Sequence, residues 1–173
     1  MKTNISIAKK WILSAASDIK RILNDLETDD FADIAFRSQF AVEKLNKSIL
    51  ALLGIKIQKT HEPTKILKSI LRSEKYRAFD KDSEDLIIQM INLSILFEEE
   101  GTKTRYGVFR ENEFLVSEEI YKSFNDINKF IFNLEKIISI YNKIITEVLN
   151  IKESKLDDLN LLLNLREELI KWI

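Results

Sequence analysis

Apolar residues recur at intervals of three and four along most of this chain, the spacing that places them on one face of an α-helix. The pattern predicts six helices, over residues 4–26, 31–53, 63–75, 83–100, 117–149 and 155–172. Residues 101–116 show no helical period and contain Thr102, Thr104, Gly107 and Asn112, so we expect a loop there, the longest in the chain. Short connections between long amphipathic helices predict an antiparallel bundle.

Polar and turn-forming residues mark the expected helix ends. Asp29 and Asp30 supply a break and an N-cap before the second helix, and Gly54 stands where a left-handed residue would end it. Pro63, the only proline, suits the first turn of the third helix, because its missing N–H costs nothing there. The remaining signals are Asp82-Ser83 at the start of the fourth helix, Gly101 at its end, Ser117 before the fifth, and Ser154 with Asp157 as a capping box for the last.

The predicted helix over residues 117–149 has an unusually wide apolar face. Its seam runs from Ile120 to Val148 in alternating steps of four and three, as in a coiled coil, and Phe130, Ile137 and Ile140 widen it. This face is broader than one neighbouring helix would cover. Either the last helix or a second copy of the chain must cover the excess, and we therefore expect a homodimer.

The amino-acid composition excludes several fold classes and several kinds of chemistry. The chain has 173 residues, which suits a single domain over residues 1–173, and its 3 glycines and 1 proline leave little turn chemistry for an all-β fold. We therefore predict an all-α bundle of five or six helices. The absence of cysteine excludes disulfides and thiol chemistry, and the formal charge of −1 gives no overall basic field. No apolar run is long enough to span a membrane and no signal peptide is visible, so a cytoplasmic location is expected.

Standard catalytic and cofactor-binding motifs are missing. The chain has no GxGxxG, GxxxxGK[ST], GxSxG or HExxH sequence. A dinuclear carboxylate site on a helical bundle needs Glu-x-x-His on two helices, and His61 is the only histidine. We therefore expect no metal and no cofactor.

The second predicted helix resembles the signature helix of HEPN domains, the higher eukaryote and prokaryote nucleotide-binding family. Gln39, Ala41, Glu43, Lys44 and Lys47 match the family's pattern, and Ser48 stands in place of its trailing alanine. Three further stretches fit the family in order and spacing: Trp11, Ala15, Ala16 and Asp18 in the first helix, Thr60-His61 before the third, and Arg105-Tyr106 after the fourth. The resemblance covers residues 5–132, so residues 133–173 look like a helical extension.

The resemblance implies nucleotide or RNA binding by a polar stripe on the second helix. In that interpretation the lysines hold phosphate and Gln39 contacts a base edge. The candidate binding residues are Gln39, Glu43, Lys44, Lys47, His61, Arg105, Tyr106 and Arg110. The alternative is an ordinary solvated helix face with i,i+4 pairs, and a His61 that only caps or hydrogen-bonds a helix start.

The region after the fourth predicted helix bears on catalysis. Glu98, Glu99 and Glu100 stand at its expected C-terminus, where Lys103, Arg105 and Arg110 can neutralise them. Catalytic HEPN ribonucleases place a histidine after an arginine here, with four to six residues between the two, and a dimer joins two such pairs into a metal-independent site. Arg110, Glu111 and Asn112 occupy those positions after Arg105. The ribonuclease motif is therefore absent, unless His61 replaces the missing histidine, and we assign no catalytic residue.

Three functions remain open from the sequence. The first is a noncatalytic nucleotide- or RNA-binding module, which in this family can act with a separate nucleotidyltransferase. The second is a metal-independent RNase of a toxin–antitoxin pair with a degenerate site. The third is a structural interaction domain that dimerises through the long helix.

Overall fold

Seven α-helices and one short β-hairpin make up the described part of the chain, which in this computed structural model is residues 4–56, 59–73, 79–152 and 156–173. The elements are α1 (Ile5–Thr28), α2 (Phe31–Leu52), α3 (Pro63–Leu71), α4 (Lys81–Tyr106), β1 (Val108–Arg110), β2 (Glu113–Leu115), α5 (Ser117–Ile120), α6 (Phe124–Lys143), a π-helical turn (Ile144–Val148) and α7 (Asp157–Ile170). The predicted all-α fold is confirmed. None of the described helices is both long and apolar enough to cross a membrane.

Helices α1 and α2 form the centre of the fold and end as the sequence predicts. Asp29 takes a left-handed conformation, and the Asp30 side chain accepts a hydrogen bond from the Asp33 N–H at 3.1 Å. Helix α2 packs against α1, α3, α4 and α6, and it is therefore buried on nearly every side. Most polar residues of α2, among them Gln39, Glu43 and Lys47, consequently lie inside the bundle.

Helix α4 differs from the prediction at both ends. It begins at Lys81, because Asp80 caps it by accepting from the Ser83 N–H at 2.8 Å. It does not end at Gly101 but continues to Tyr106, and Gly107, with φ of 73°, ends it instead. Gly101 faces α2 and allows the two helices to approach closely, so this glycine serves packing and not termination.

The expected loop over residues 101–116 is therefore wrong. Its first part belongs to α4, and the rest forms a hairpin in which Phe109 pairs with Phe114 and Arg110 with Glu113. Glu111 and Asn112 at the tip both have positive φ, as a tight two-residue hairpin turn requires.

The predicted single helix over residues 117–149 is also wrong, and its break raises the count to seven. Helix α5 ends at Ile120, and Asp126 accepts hydrogen bonds from the N–H groups of Lys122 and Ser123 and from the Ser123 hydroxyl. This cap starts α6 afresh. At the other end the chain passes into the π-helical turn.

The apolar seam of α6 is covered within one chain. Ile127, Ile131, Leu134 and Ile138 are fully buried in the core, to which α2, α4 and α7 contribute. The seam thus supplies no argument for a dimer among the described residues. Helix α3 ends at Leu71, with Arg72 as its C-cap, and not near residue 75 as predicted. The predicted capping residue Ser154 lies outside the described ranges.

Candidate functional site

The polar stripe of α2 is buried, so the interpretation as a solvated helix face is wrong. Gln39, Glu43 and Lys47 are 3%, 6% and 7% exposed. The C-terminal half of α4 and the segment before α3 cover the stripe, and they bring Arg105 and His61 to it. Residues that are far apart in sequence therefore meet in one polar cluster inside an otherwise apolar bundle.

Glu43 is the centre of this cluster. Its Oε1 accepts a hydrogen bond from Lys47 Nζ at 2.6 Å, and its Oε2 lies 3.1 Å from His61 Nδ1. The same Oε2 lies 3.9 Å from Arg105 Nη2. We call Gln39, Glu43, Lys47, His61 and Arg105 the Glu43 cluster. One carboxylate thus organises three basic side chains, which come from three separate parts of the chain.

Arg105 is held from two sides, which fixes the direction of its guanidinium. Its Nε donates to Gln39 Oε1 at 3.3 Å, and its guanidinium carbon lies 5.1 Å from the centre of the Phe40 ring. Its side chain is 15% exposed, whereas that of His61 is 62% exposed. Arg105 therefore forms the floor of the site and His61 its rim.

The Lys47 side chain makes its contacts inside the cluster and not at its surface. Besides Glu43 it contacts Trp11, whose ring centre is 5.0 Å from the ammonium. Its side chain is 9% exposed, and a paired and buried ammonium has little freedom to reach a ligand.

Glu98 fixes the start of α3 beside the cluster, a role that the sequence did not reveal. The N–H and the hydroxyl of Thr64 donate to its two oxygens at 3.1 and 2.5 Å. Burial raises the pKa of Glu98, and the nearby charges of Glu62 and Glu43 raise it further. His61, two residues before Pro63, is held near Glu43 by this anchored helix start. The run of three glutamates had suggested only a helix end.

A second group of residues, which we call the Phe40 patch, lies beside the cluster on α2. It consists of Phe36, Arg37, Phe40 and Lys44. The two rings are 4.7 Å apart, and the cations of Arg37 and Lys44 lie 5.3 and 5.7 Å from the Phe36 and Phe40 rings respectively. Arg105 on the other side of Phe40 connects the patch to the Glu43 cluster.

Asp18 on α1 holds the two cations of the Phe40 patch. Lys44 donates to it at 2.5 Å, and Arg37 lies 3.6 Å away. Lys44 is therefore a neighbour of the Glu43 cluster and not a member of it.

Tyr106 and Arg110, the other two predicted site residues, lie outside the cluster. Tyr106 is the last residue of α4 and is 71% exposed. Arg110 is exposed on β1. Burial raises the pKa of the Tyr121 hydroxyl, and the charge of Arg110 offsets part of that rise. Of the cations expected to neutralise the glutamate run, Lys103 does so, 3.0 Å from Glu100, whereas Arg105 turns to Gln39 and Glu43.

The charge of the Glu43 cluster favours an anion. Among its five residues, Lys47 and Arg105 contribute two positive charges against the single negative charge of Glu43, and His61 adds a third when it is protonated. The neighbouring Glu98 offsets one positive charge when it is ionised, but its raised pKa favours the neutral form. Arg105 uses its Nε for Gln39, so other N–H groups of the guanidinium are left for a ligand. Within the described ranges no group of three or more acidic or histidine side chains is placed to hold a metal ion.

Comparison with known proteins identified a family for this chain. The family model described as the HEPN domain matches residues 8–151 of the 173-residue chain. The match includes the Glu43 cluster, the Phe40 patch and the hairpin, and it runs through α6, beyond residue 132 where the sequence resemblance was expected to end. No match was found among curated proteins or among solved structures.

Proposed function

The chain belongs to the HEPN domain family, and from that premise we propose that it is a noncatalytic module that binds a nucleotide or RNA phosphate at Arg105 and His61. Membership implies a function related to nucleotides or RNA. The observation that supports the finer proposal is the convergence of Arg105, His61 and Lys47 on the single carboxylate of Glu43. This arrangement has an excess of positive charge and an exposed rim.

Arg105 is the residue best placed to contact phosphate. Gln39 and Phe40 orient its guanidinium before a ligand arrives, which lowers the entropy lost on binding. A guanidinium matches the oxygens of a phosphate through paired N–H donors.

The proposal is tested by binding measurements on purified protein. Fluorescence anisotropy with a labelled mononucleotide and a labelled single-stranded RNA should show that Arg105→Ala weakens both by about tenfold or more, because a charge-assisted hydrogen bond contributes about 1.5–3 kcal/mol. The matched control is Arg72→Ala, which removes the same charge from an exposed position beyond the end of α3. Equal affinities for the two variants would contradict the proposal.

Ribonuclease activity is the second candidate, and one observation favours it. His61 and Arg105 meet at the same oxygen of Glu43. A carboxylate only accepts hydrogen bonds, so Nδ1 of His61 donates and Nε2 of the neutral ring is free to take a proton from a 2′-hydroxyl. Attack of that oxygen on the adjacent phosphorus would form a 2′,3′-cyclic phosphate and break the bond to the 5′-oxygen, which would leave as a hydroxyl by taking a proton from solvent water.

An RNA-cleavage assay in the presence of EDTA separates the two candidates. We expect no cleavage, because no histidine follows Arg105 with the family's spacing of four to six intervening residues. Metal-independent cleavage that His61→Gln and Arg105→Ala both abolish, while Arg72→Ala retains it, would replace the binding module with the ribonuclease.

Partners form part of the proposal as well. HEPN domains often dimerise, and we propose a homodimer for this chain. Some members act beside a nucleotidyltransferase, and such a protein encoded next to this one would support a binding role for the Glu43 cluster.

A further inference from the structure

The hairpin after α4 presents an aromatic face to solvent. Phe109 and Phe114 are cross-strand partners with ring centres 5.0 Å apart, and they are 75% and 46% exposed. Their strand neighbours Val108 and Leu115, which point to the opposite face, are half-buried. Neither aromatic ring belongs to the hydrophobic core of the described residues.

Gly107 fixes this aromatic face relative to the end of α4. Its φ is 73°, and a Cβ on it would lie 2.2 Å from the carbonyl oxygen of Leu115 and 3.0 Å from the ring of Phe114. Strand β2 therefore lies directly against the helix end. The ring of Phe114 therefore lies beside Gly107, two residues after Arg105, and the exposed Tyr106 stands between Arg105 and Gly107 in the chain.

Charge varies along the hairpin in a way that distinguishes its two ends. Lys103 and Arg105 are at the base, whereas Glu111 and Glu113 are near the tip. Arg110 is the cross-strand partner of Glu113 and lies on the face opposite the aromatic pair. Lys103 is already paired with Glu100, so Arg105 is the cation at the base that an anionic ligand would meet, and Glu111 opposes such a ligand at the tip.

We propose that this aromatic face stacks the bases of a single-stranded RNA whose phosphate is bound at Arg105. The inference rests on the proposed function and narrows its ligand from nucleotides in general to a strand of several nucleotides. Exposed aromatic rings beside a cationic site are the usual platform for single-stranded nucleic acid, because every base has a face to stack. The phosphate contact fixes the strand, and Phe109, Phe114 and Tyr106 bind the bases that follow it.

A second protein copy is the weaker alternative for this surface. Fully buried aromatic side chains cover about 150–250 Å² each, so three partly exposed rings offer at most several hundred Å². A stable protein interface buries about 800 Å² on each partner. The strands are also only three residues long, which limits pairing between hairpin edges.

The experiment compares a labelled RNA hexanucleotide with a labelled mononucleotide, on wild type, Phe109→Ala and Phe109→Trp. Base stacking contributes about 1–3 kcal/mol, so Phe109→Ala should weaken the hexanucleotide about 5- to 100-fold. The mononucleotide should be affected less than about twofold. Phe109→Trp should keep the wild-type affinity, because the indole also stacks. The control is Leu96→Ala, which removes an exposed apolar side chain from α4, upstream of the site.

The outcomes separate this inference from the proposed function. The stacking proposal is wrong, and the phosphate site is retained, in either of two cases. In the first, wild type binds the mononucleotide and binds the hexanucleotide no more tightly. In the second, Phe109→Ala leaves the affinity for the hexanucleotide unchanged. If wild type binds neither probe, both are wrong. If Phe109→Ala instead halves the mass measured by light scattering and leaves affinity unchanged, the hairpin is a protein interface.

Discussion

The backbone of Gly101 lies directly against the side-chain amide of Gln39. A Cβ at residue 101 would stand 2.5 Å from Gln39 Nε2, well inside van der Waals contact. The same amide accepts the hydrogen bond from Arg105 Nε through its oxygen. A helix–helix contact and the orientation of the proposed phosphate ligand therefore depend on one side chain.

Gly101→Ala tests this coupling. Alanine is a better helix former by about 1 kcal/mol, which offsets part of the collision, so we expect the free energy of unfolding to change by less than about 1 kcal/mol. Gln39 must move away, Arg105 loses its partner, and RNA affinity should fall several-fold. Thr102→Ala, at the exposed neighbouring position, is the control. Wild-type affinity in Gly101→Ala, measured by anisotropy, would show that Gln39 does not position Arg105.

Lys47→Ala tests whether the Glu43–Lys47 pair is a buried one. Removing one partner of a buried pair leaves the other charge uncompensated, and such losses amount to about 3–5 kcal/mol. Arg105 and His61 remain near Glu43 in the variant and compensate part of its charge. We therefore expect the free energy of unfolding, measured by urea denaturation, to fall by about 3 kcal/mol, the lower end of this range. Lys171→Ala breaks an exposed pair with Glu168 and should cost less than about 1 kcal/mol. Similar losses in the two variants would contradict the buried pair.

Asp25 predicts a pH dependence of stability. Burial, followed by the carboxyls of Asp33 and Asp30, raises the pKa of Asp25 from 3.8 to about 6. The folded state then keeps a proton that the unfolded state has lost, so this group lowers stability progressively as pH rises from about 4 to about 6.

Asp25→Asn should remove that decline. We expect the stability of the variant to match that of wild type below pH about 4 and to exceed it above pH about 6, by about 1 kcal/mol or less because Asp25 is only partly buried and solvent screens its charge. Urea denaturation across this pH range checks it. Glu27→Gln, two residues further along α1 and exposed, is the control, and a variant that is no more stable than wild type at pH 7 would refute the prediction.

The homodimer is tested by light scattering at increasing protein concentration. The apolar side chains that remain exposed near the C-terminus include Phe132, Trp172 and Ile173, which line a groove of about 380 Å³. We expect a dimer mass for wild type and a monomer mass for Phe132→Ser. A wild-type monomer at all concentrations would end the dimer proposal, and a dimer that survives Phe132→Ser would place its interface elsewhere.

The helical fold was determined by local sequence. The helical period, the Asp30 cap and the position of Pro63 act within a few residues, so the ends of α1 and α2 and the start of α3 are confirmed. The predicted helix ends were wrong where the same local sequence is compatible with two structures. Gly101 resembles a helix terminator, but it is kept inside α4 by its contact with α2. The helix break at residues 121–123 depends on the carboxyl of Asp126, which caps the start of α6. The apolar residues around it continue the helical spacing without interruption, so the sequence pattern did not reveal this cap.

For the candidate site, too, the sequence determined one part and the tertiary structure determined another. The sequence alone identified Gln39, Glu43, Lys47, His61 and Arg105 through their resemblance to a family pattern, and it also placed the first three on one helix face. Only the tertiary structure decided that this face is buried, and that Arg105 and His61 meet at Glu43. The physical reason is that an i,i+4 stripe of polar side chains looks the same in sequence whether water or another helix covers it. Packing of α4 against α2 makes that choice, and it depends on contacts between residues more than sixty positions apart.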